Sequence, residues 1–143
     1  MRILLAIHNA YTDSTSGAAH SIRILMQWLS EAGHACQVLG TARFDGNPPS
    51  DIHDHLAQLG IPLTRKEPAR AFVRGVRKPA NVTVGRPTVH FTLTGVPVTM
   101  LMTRHHEPQQ PDRIESEQFL FLIDELLTTF APDVFLTYGS HPV

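Results

Sequence analysis

The chain has 143 residues, 42% of them hydrophobic and 17% charged, with a formal net charge of −1. That length suits one domain burying roughly two-thirds of its unfolded surface, and the near-zero charge supplies no general attraction for nucleic acid or anionic membranes. The lone cysteine, Cys36, excludes an internal disulfide framework, and no apolar run approaches the roughly 18 residues of a membrane span.

Residues 2–8 read as a first strand, whose near-continuous apolar character suits a central strand covered on both faces. The chain therefore opens without the basic start and long apolar middle of a signal peptide, and a cytoplasmic setting is expected. A polar loop, NAYTDSTS, follows and ends at Ser16-Gly17. Ser14, Thr15 or Ser16 can cap the next helix by offering a side-chain oxygen to its first-turn N–H groups. Ala18, Ile22, Leu25, Leu29 and Ala32 fall at three- and four-residue steps along it, with Met26 and Trp28 widening the stripe, and Gly33 is placed to end it in the left-handed conformation. A second strand spans 35–39. The result is a β-loop-α-β unit whose loop opens onto a helix N-terminus, where unpaired N–H groups and the positive end of the dipole favour an anion.

Residues 41–50 are loop by composition. Ser50 or Asp51 caps a short helix carrying Ile52, Leu56 and Leu59 on one side and stopped by Gly60, and 61–63 is a candidate short third strand. Between 65 and 86 stand seven Lys or Arg residues against one acid, Glu67, which makes this stretch either a solvated surface segment or an anion-attracting rim. Only Phe72 is aromatic there, too few for a stacking surface for nucleic acid. Residues 88–94 and 96–103 form a hairpin about Gly95, with Pro97 near the turn and one of its strands at a sheet edge. Asp112 and Glu115 make an Asp-x-x-Glu capping pattern for a long helix bearing Phe119, Leu120, Ile123, Leu126, Leu127 and Phe130. A last strand spans 134–138. The alternation of strands and helices predicts an α/β fold with a mainly parallel sheet, helices on both faces and a β-hairpin insertion.

No GxGxxG, GxxxxGK[ST] or GxSxG motif is present, which argues against a dinucleotide-binding oxidoreductase, a P-loop enzyme and a serine hydrolase. Nine histidines invite a metal reading, but His53 and His55 on a helix face different ways, His105 and His106 are adjacent in a loop, and no HExxH occurs. Ligands in open α/β sheets bind beyond the carboxyl ends of strands. That edge should gather the first loop from Asn9 to Gly17, the segment from Thr103 to His106, and Tyr138 to His141. The candidate acceptor- or phosphate-binding residues are thus Asn9, Ser16, Gly17, Ala18, His105, Tyr138, Gly139 and Ser140.

Several of these features resemble the N-terminal domain of the group-1 (family 4) retaining glycosyltransferases of the GT-B fold. They are MRILLAIH at the start, the loop ending in Gly17, and the passage SEAGHACQVLG, similar to the family's "L…GHEV.V" helix-to-strand step. The Leu93-Thr-Gly-Val-Pro-Val98 hairpin is similar to its "dGv.V", and FAPDVFLTYG to its "…PDVVH.H". The order and spacing of these motifs span essentially the whole chain. The resemblance implies a Rossmann-like domain that is one half of a GT-B fold, binding the acceptor side of a cleft whose donor side belongs to a second domain. It implies a nucleotide-sugar donor as substrate with no cofactor or metal, and a carbohydrate or lipid-linked acceptor. It leaves peripheral membrane contact open and gives no role to nucleic acid. The chain would then be a fragment of a longer protein and inactive alone; the alternative is a stand-alone, non-enzymatic Rossmann-like binding module. Two positions depart from the family pattern: Ser16-Gly17 stands where two glycines are common, and Tyr138 where the family has histidine after the last strand.

Overall fold

The computed structural model describes residues 1–14, 16–44, 51–69, 71–73, 82–103 and 113–138. In chain order the elements are β1 (Arg2–Ile7), α1 (Gly17–Glu31), β2 (Ala35–Thr41), α2 (Ile52–Gln58), β3 (Leu63–Glu67), β4 (Ala71–Val73), β5 (Val82–Val84), β6 (Thr88–Leu93), β7 (Val96–Leu101), α3 (Arg113–Thr129) and β8 (Val134–Tyr138). Six strands make one sheet in the order β3-β6-β7-β2-β1-β8, and β4 pairs with β5 in a separate two-stranded sheet. The steps β7-β2-β1-β8 are parallel, whereas β6 and β3 run antiparallel to their neighbours. This is the expected mixed α/β fold with a mostly parallel sheet.

The larger core lies on one face, where Ile3, Leu5 and Ile7 of β1 and Val38 of β2 meet Ile22 and Met26 of α1 and Ile52 and Leu56 of α2. On the other face α3 packs Phe119 and Leu122 against Ala6, Leu39 and Leu101. The alternation along each strand decides which residues reach which helix. Helix α1 is rotated from its expected stripe: Ala19, Ile22 and Met26 are buried, whereas Leu25 and Trp28 are 46% and 65% exposed. A wide apolar stripe is compatible with more than one rotation, and contact with the twisted sheet selects the Ala19-side line. Leu59 and Leu127 are likewise exposed, Leu59 at the end of α2 and Leu127 beside Leu126, which packs on the core.

The hairpin forms about Thr94 and Gly95, with φ values of 50° and 79° that match the type I′ turn favoured between twisted strands. Neither of its strands is the edge. Strand β3 takes that place, beginning at Leu63 rather than ending there and running on through Arg65 and Lys66. Charged, solvent-facing residues are a common way to protect a sheet edge. Strand β2 runs two residues beyond its expected end, to Thr41. Asp51 caps α2, accepting from the N–H groups of His53 and Asp54. Asp112, the expected cap of α3, lies outside the described residues.

Candidate functional site at the carboxyl edge of the sheet

Strands β1, β2, β7 and β8 all end on one side of the sheet, at Ile7, Thr41, Leu101 and Tyr138. The loop after β1 is laced down onto the end of β2: Thr41 N–H donates to Asn9 O at 3.2 Å, and Ala10 N–H to Arg43 O at 2.7 Å. The close crossing leaves little room at Gly40, where a Cβ would stand 3.1 Å from the Asn9 carbonyl oxygen. Arg23 reaches back from α1, donating from Nη1 to Tyr11 O at 2.7 Å and Asp13 O at 3.2 Å. Tyr11, Thr12 and Asp13 are buried, so the loop is a built shelf.

The shelf ends at Ser16, whose Oγ accepts from Ala19 N–H at 3.1 Å. Its hydroxyl is thereby committed to capping its own helix rather than facing a ligand. The N–H groups of Gly17 and Ala18 keep no acceptor among the described residues. A Cβ at Gly17 would meet nothing within 4 Å, so packing does not demand glycine there. Tyr138, paired in register with Ile7, is 54% exposed at the same edge. Asn9, Ser16, Gly17, Ala18 and Tyr138 thus come to one edge, while His105, Gly139 and Ser140 lie outside the described residues.

Beside the shelf is a cluster that the sequence reading did not single out. Glu115, in the first turn of α3, is fully buried. Arg43, just beyond β2, grips it bidentately, Nε to Oε1 at 3.0 Å and Nη2 to Oε2 at 2.6 Å. Arg86 Nη1 stands 3.9 Å from the same Oε2, and His8 Nε2 stands 3.6 Å from Oε1. His8 meets Phe119 edge to face, with ring centroids 5.3 Å apart. Gln118 clamps the backbone of Arg86 in both senses, accepting from its N–H at 2.7 Å and donating to its carbonyl at 2.9 Å. Two guanidiniums thus converge on one buried carboxylate beside the carboxyl edge. Glu115 was expected to serve the helix start as a capping acid with Asp112, which lies outside the described residues; its carboxylate also pairs with Arg43. One signal was present in the sequence: Glu115 falls four residues before Phe119 on the stripe that α3 buries, where a carboxylate needs a partner.

Burial raises the pKa of the Tyr11 hydroxyl, opposed by the charge of Arg23, so this group stays neutral. Burial raises that of the Cys36 thiol as well. His55 is shifted the other way, held below its ordinary value by burial and opposed by the charge of Asp13. Its Nε2 lies 3.1 Å from Thr12 Oγ1, which ties α2 to the shelf. Among the described residues no group of three or more His, Cys, Asp or Glu is arranged to hold a metal ion.

No protein-family model matches the sequence, and no curated protein matches it. Among solved structures it is similar to the catalytic domain of starch synthase IV from Arabidopsis thaliana, bound to ADP and acarbose. The two share 16% identity with a TM-score of 0.52, over 95% of this chain and 27% of the other. The chain has a glycosyltransferase-like fold. It spans about a quarter of the length of the structure it matches, and the likeness extends to the fold alone.

Proposed function

We propose that this chain is the acceptor-side, N-terminal domain of a sugar-nucleotide-dependent retaining glycosyltransferase of the group-1 type. The observation that carries the reading is the fold likeness over 95% of the chain to a GT-B catalytic domain, one bound to ADP and acarbose. The geometry of the carboxyl edge supports it. The N–H groups of Gly17 and Ala18 and the positive end of the α1 dipole suit a phosphate oxygen, and Arg43, whose backbone carbonyl accepts from Ala10 N–H of the same loop, belongs to the cluster about Glu115. In this reading Asn9 and Tyr138 face the acceptor, a carbohydrate or a lipid-linked sugar.

Catalysis would rest on positioning and on stabilising the departing diphosphate, with no protein nucleophile from this half. The donor is a nucleotide sugar held mainly by a second domain, and the setting is cytoplasmic. The deciding experiment measures sugar transfer from a panel of nucleotide sugars by the 143-residue chain, and by the chain extended along its reading frame. The extended protein is expected to transfer and the 143-residue chain to be inactive. Appreciable turnover by the short chain, or a stop codon directly after Val143, would overturn the reading in favour of another activity or a stand-alone binding module.

A further inference from the structure

Among the described residues helix α3 packs on the middle of its sheet face, and the wing formed by β7, β6 and β3 lies beside it. A cavity of about 300 Å³ runs along this flank, at the lower end of the size of small-molecule sites. Its two walls differ in chemistry. The sheet wall carries Thr64, Thr88, Thr92 and Thr99 with Gln37, while the helix wall presents Leu122 and Leu126. The hydroxyls gather there because residues 88, 90 and 92 of β6 share one face, opposite the buried Val89 and Phe91.

His90 is held at the centre of the polar wall. Thr99 Oγ1 lies 3.1 Å from its Nδ1, and Glu67 Oε1 and Thr88 Oγ1 lie 3.4 Å from its Nε2. Arg65 is drawn to Glu67 at 2.8 Å. The charged groups on the lining are Arg65 against Glu67 and Glu125, so the cavity has no positive surplus and does not suit an anion. This separates it from the arginine cluster at the carboxyl edge.

We infer that this cavity binds an uncharged saccharide, distinct from any ligand of the carboxyl edge. A pyranose offers a rim of hydroxyls that both donate and accept, together with apolar C–H faces. The threonine hydroxyls and the Gln37 amide can pair with the rim, His90 holding Thr88 and Thr99 in place, and Leu122 and Leu126 can lie against a C–H face. Part of the polar wall is already ordered by its own hydrogen bonds, which lowers the cost of ordering on binding. The inference does not require the chain to be a transferase.

The test is a titration of the chain with the neutral trisaccharide maltotriose, followed by amide chemical shifts. Saturable shifts confined to β3, β6, β7 and the second half of α3 are expected. Thr92 is exposed, so Thr92→Arg fills the groove without disturbing the core, and it should weaken binding at least about tenfold with the fold intact. Leu126→Asp, on the opposite wall, should also weaken binding, with some loss of stability because Leu126 packs against the α3 core. No saturable shift, shifts centred on residues 8–18, or Thr92→Arg binding as the parent does would each overturn the assignment. So would preferential binding of inorganic phosphate over maltotriose at the same residues.

Discussion

Glu115 is the residue whose surroundings weigh most on stability. A fully buried carboxylate is tolerated because Arg43 meets both of its oxygens and Arg86 and His8 stand close. Removing one partner of a buried pair leaves the other uncompensated, at a cost of about 3–5 kcal/mol. Glu115→Gln is therefore expected to lower the unfolding free energy by about that much, read from urea denaturation. The double change Arg43→Met with Glu115→Leu should recover most of the loss, because the desolvation penalty vanishes with the charges. Tyr11 behaves in the opposite way. Its hydroxyl is buried with no hydrogen-bond partner among the described residues. Tyr11→Phe removes an unsatisfied polar atom and should be neutral or stabilising by up to about 1 kcal/mol in the same assay.

At the scale of the element, the hairpin turn and the α1 cap are the exposed decisions. Thr94 adopts φ 50°, a conformation that a β-branched side chain disfavours, and Gly95 follows at φ 79°. Asparagine tolerates the left-handed region better, so Thr94→Asn should raise stability by about 0.5–1 kcal/mol, seen as a higher Tm. Ser16→Ala removes the acceptor of Ala19 N–H and should cost about 1 kcal/mol. That loss belongs to helix capping, and it should appear in thermal unfolding whether or not an anion is bound at the same turn.

At the scale of the molecule, the shelf, α2 and the sheet are joined through His55, packed edge to face on Phe44 and set against Thr12. Its pKa in the folded state lies below the ordinary 6.5, so below that pH the unfolded chain binds more protons than the folded one. The stability His55 contributes is fully present above about 6.5 and is lost as pH falls from there toward the depressed value. Unfolding free energies measured on either side of 6.5 should show this loss, and His55→Gln should flatten it. The proposed sugar transfer belongs to the same scale, and the comparison of the 143-residue chain with its extended form tests it there.

The order of elements was legible because it rests on local chemistry. Residues 2–7 could be only a buried strand, Gly33 and Gly60 stop helices through their own left-handed φ, and Gly95 turns the hairpin. The carboxyl-edge gathering of Asn9, Gly17 and Tyr138 followed from strand direction alone. Pairing across the chain was not legible. Residues 63–67 became the sheet edge because β6 was there to pair with them, although their basic run read as surface. Arg43 and Glu115 lie 72 positions apart, and although Glu115's place on the buried stripe of α3 calls for a partner, Arg43 alone looks like a solvated charge. Nothing local to either marks the other. Only the packing of α3 over the ends of β1 and β2 removes water from both, and only then does each need the other.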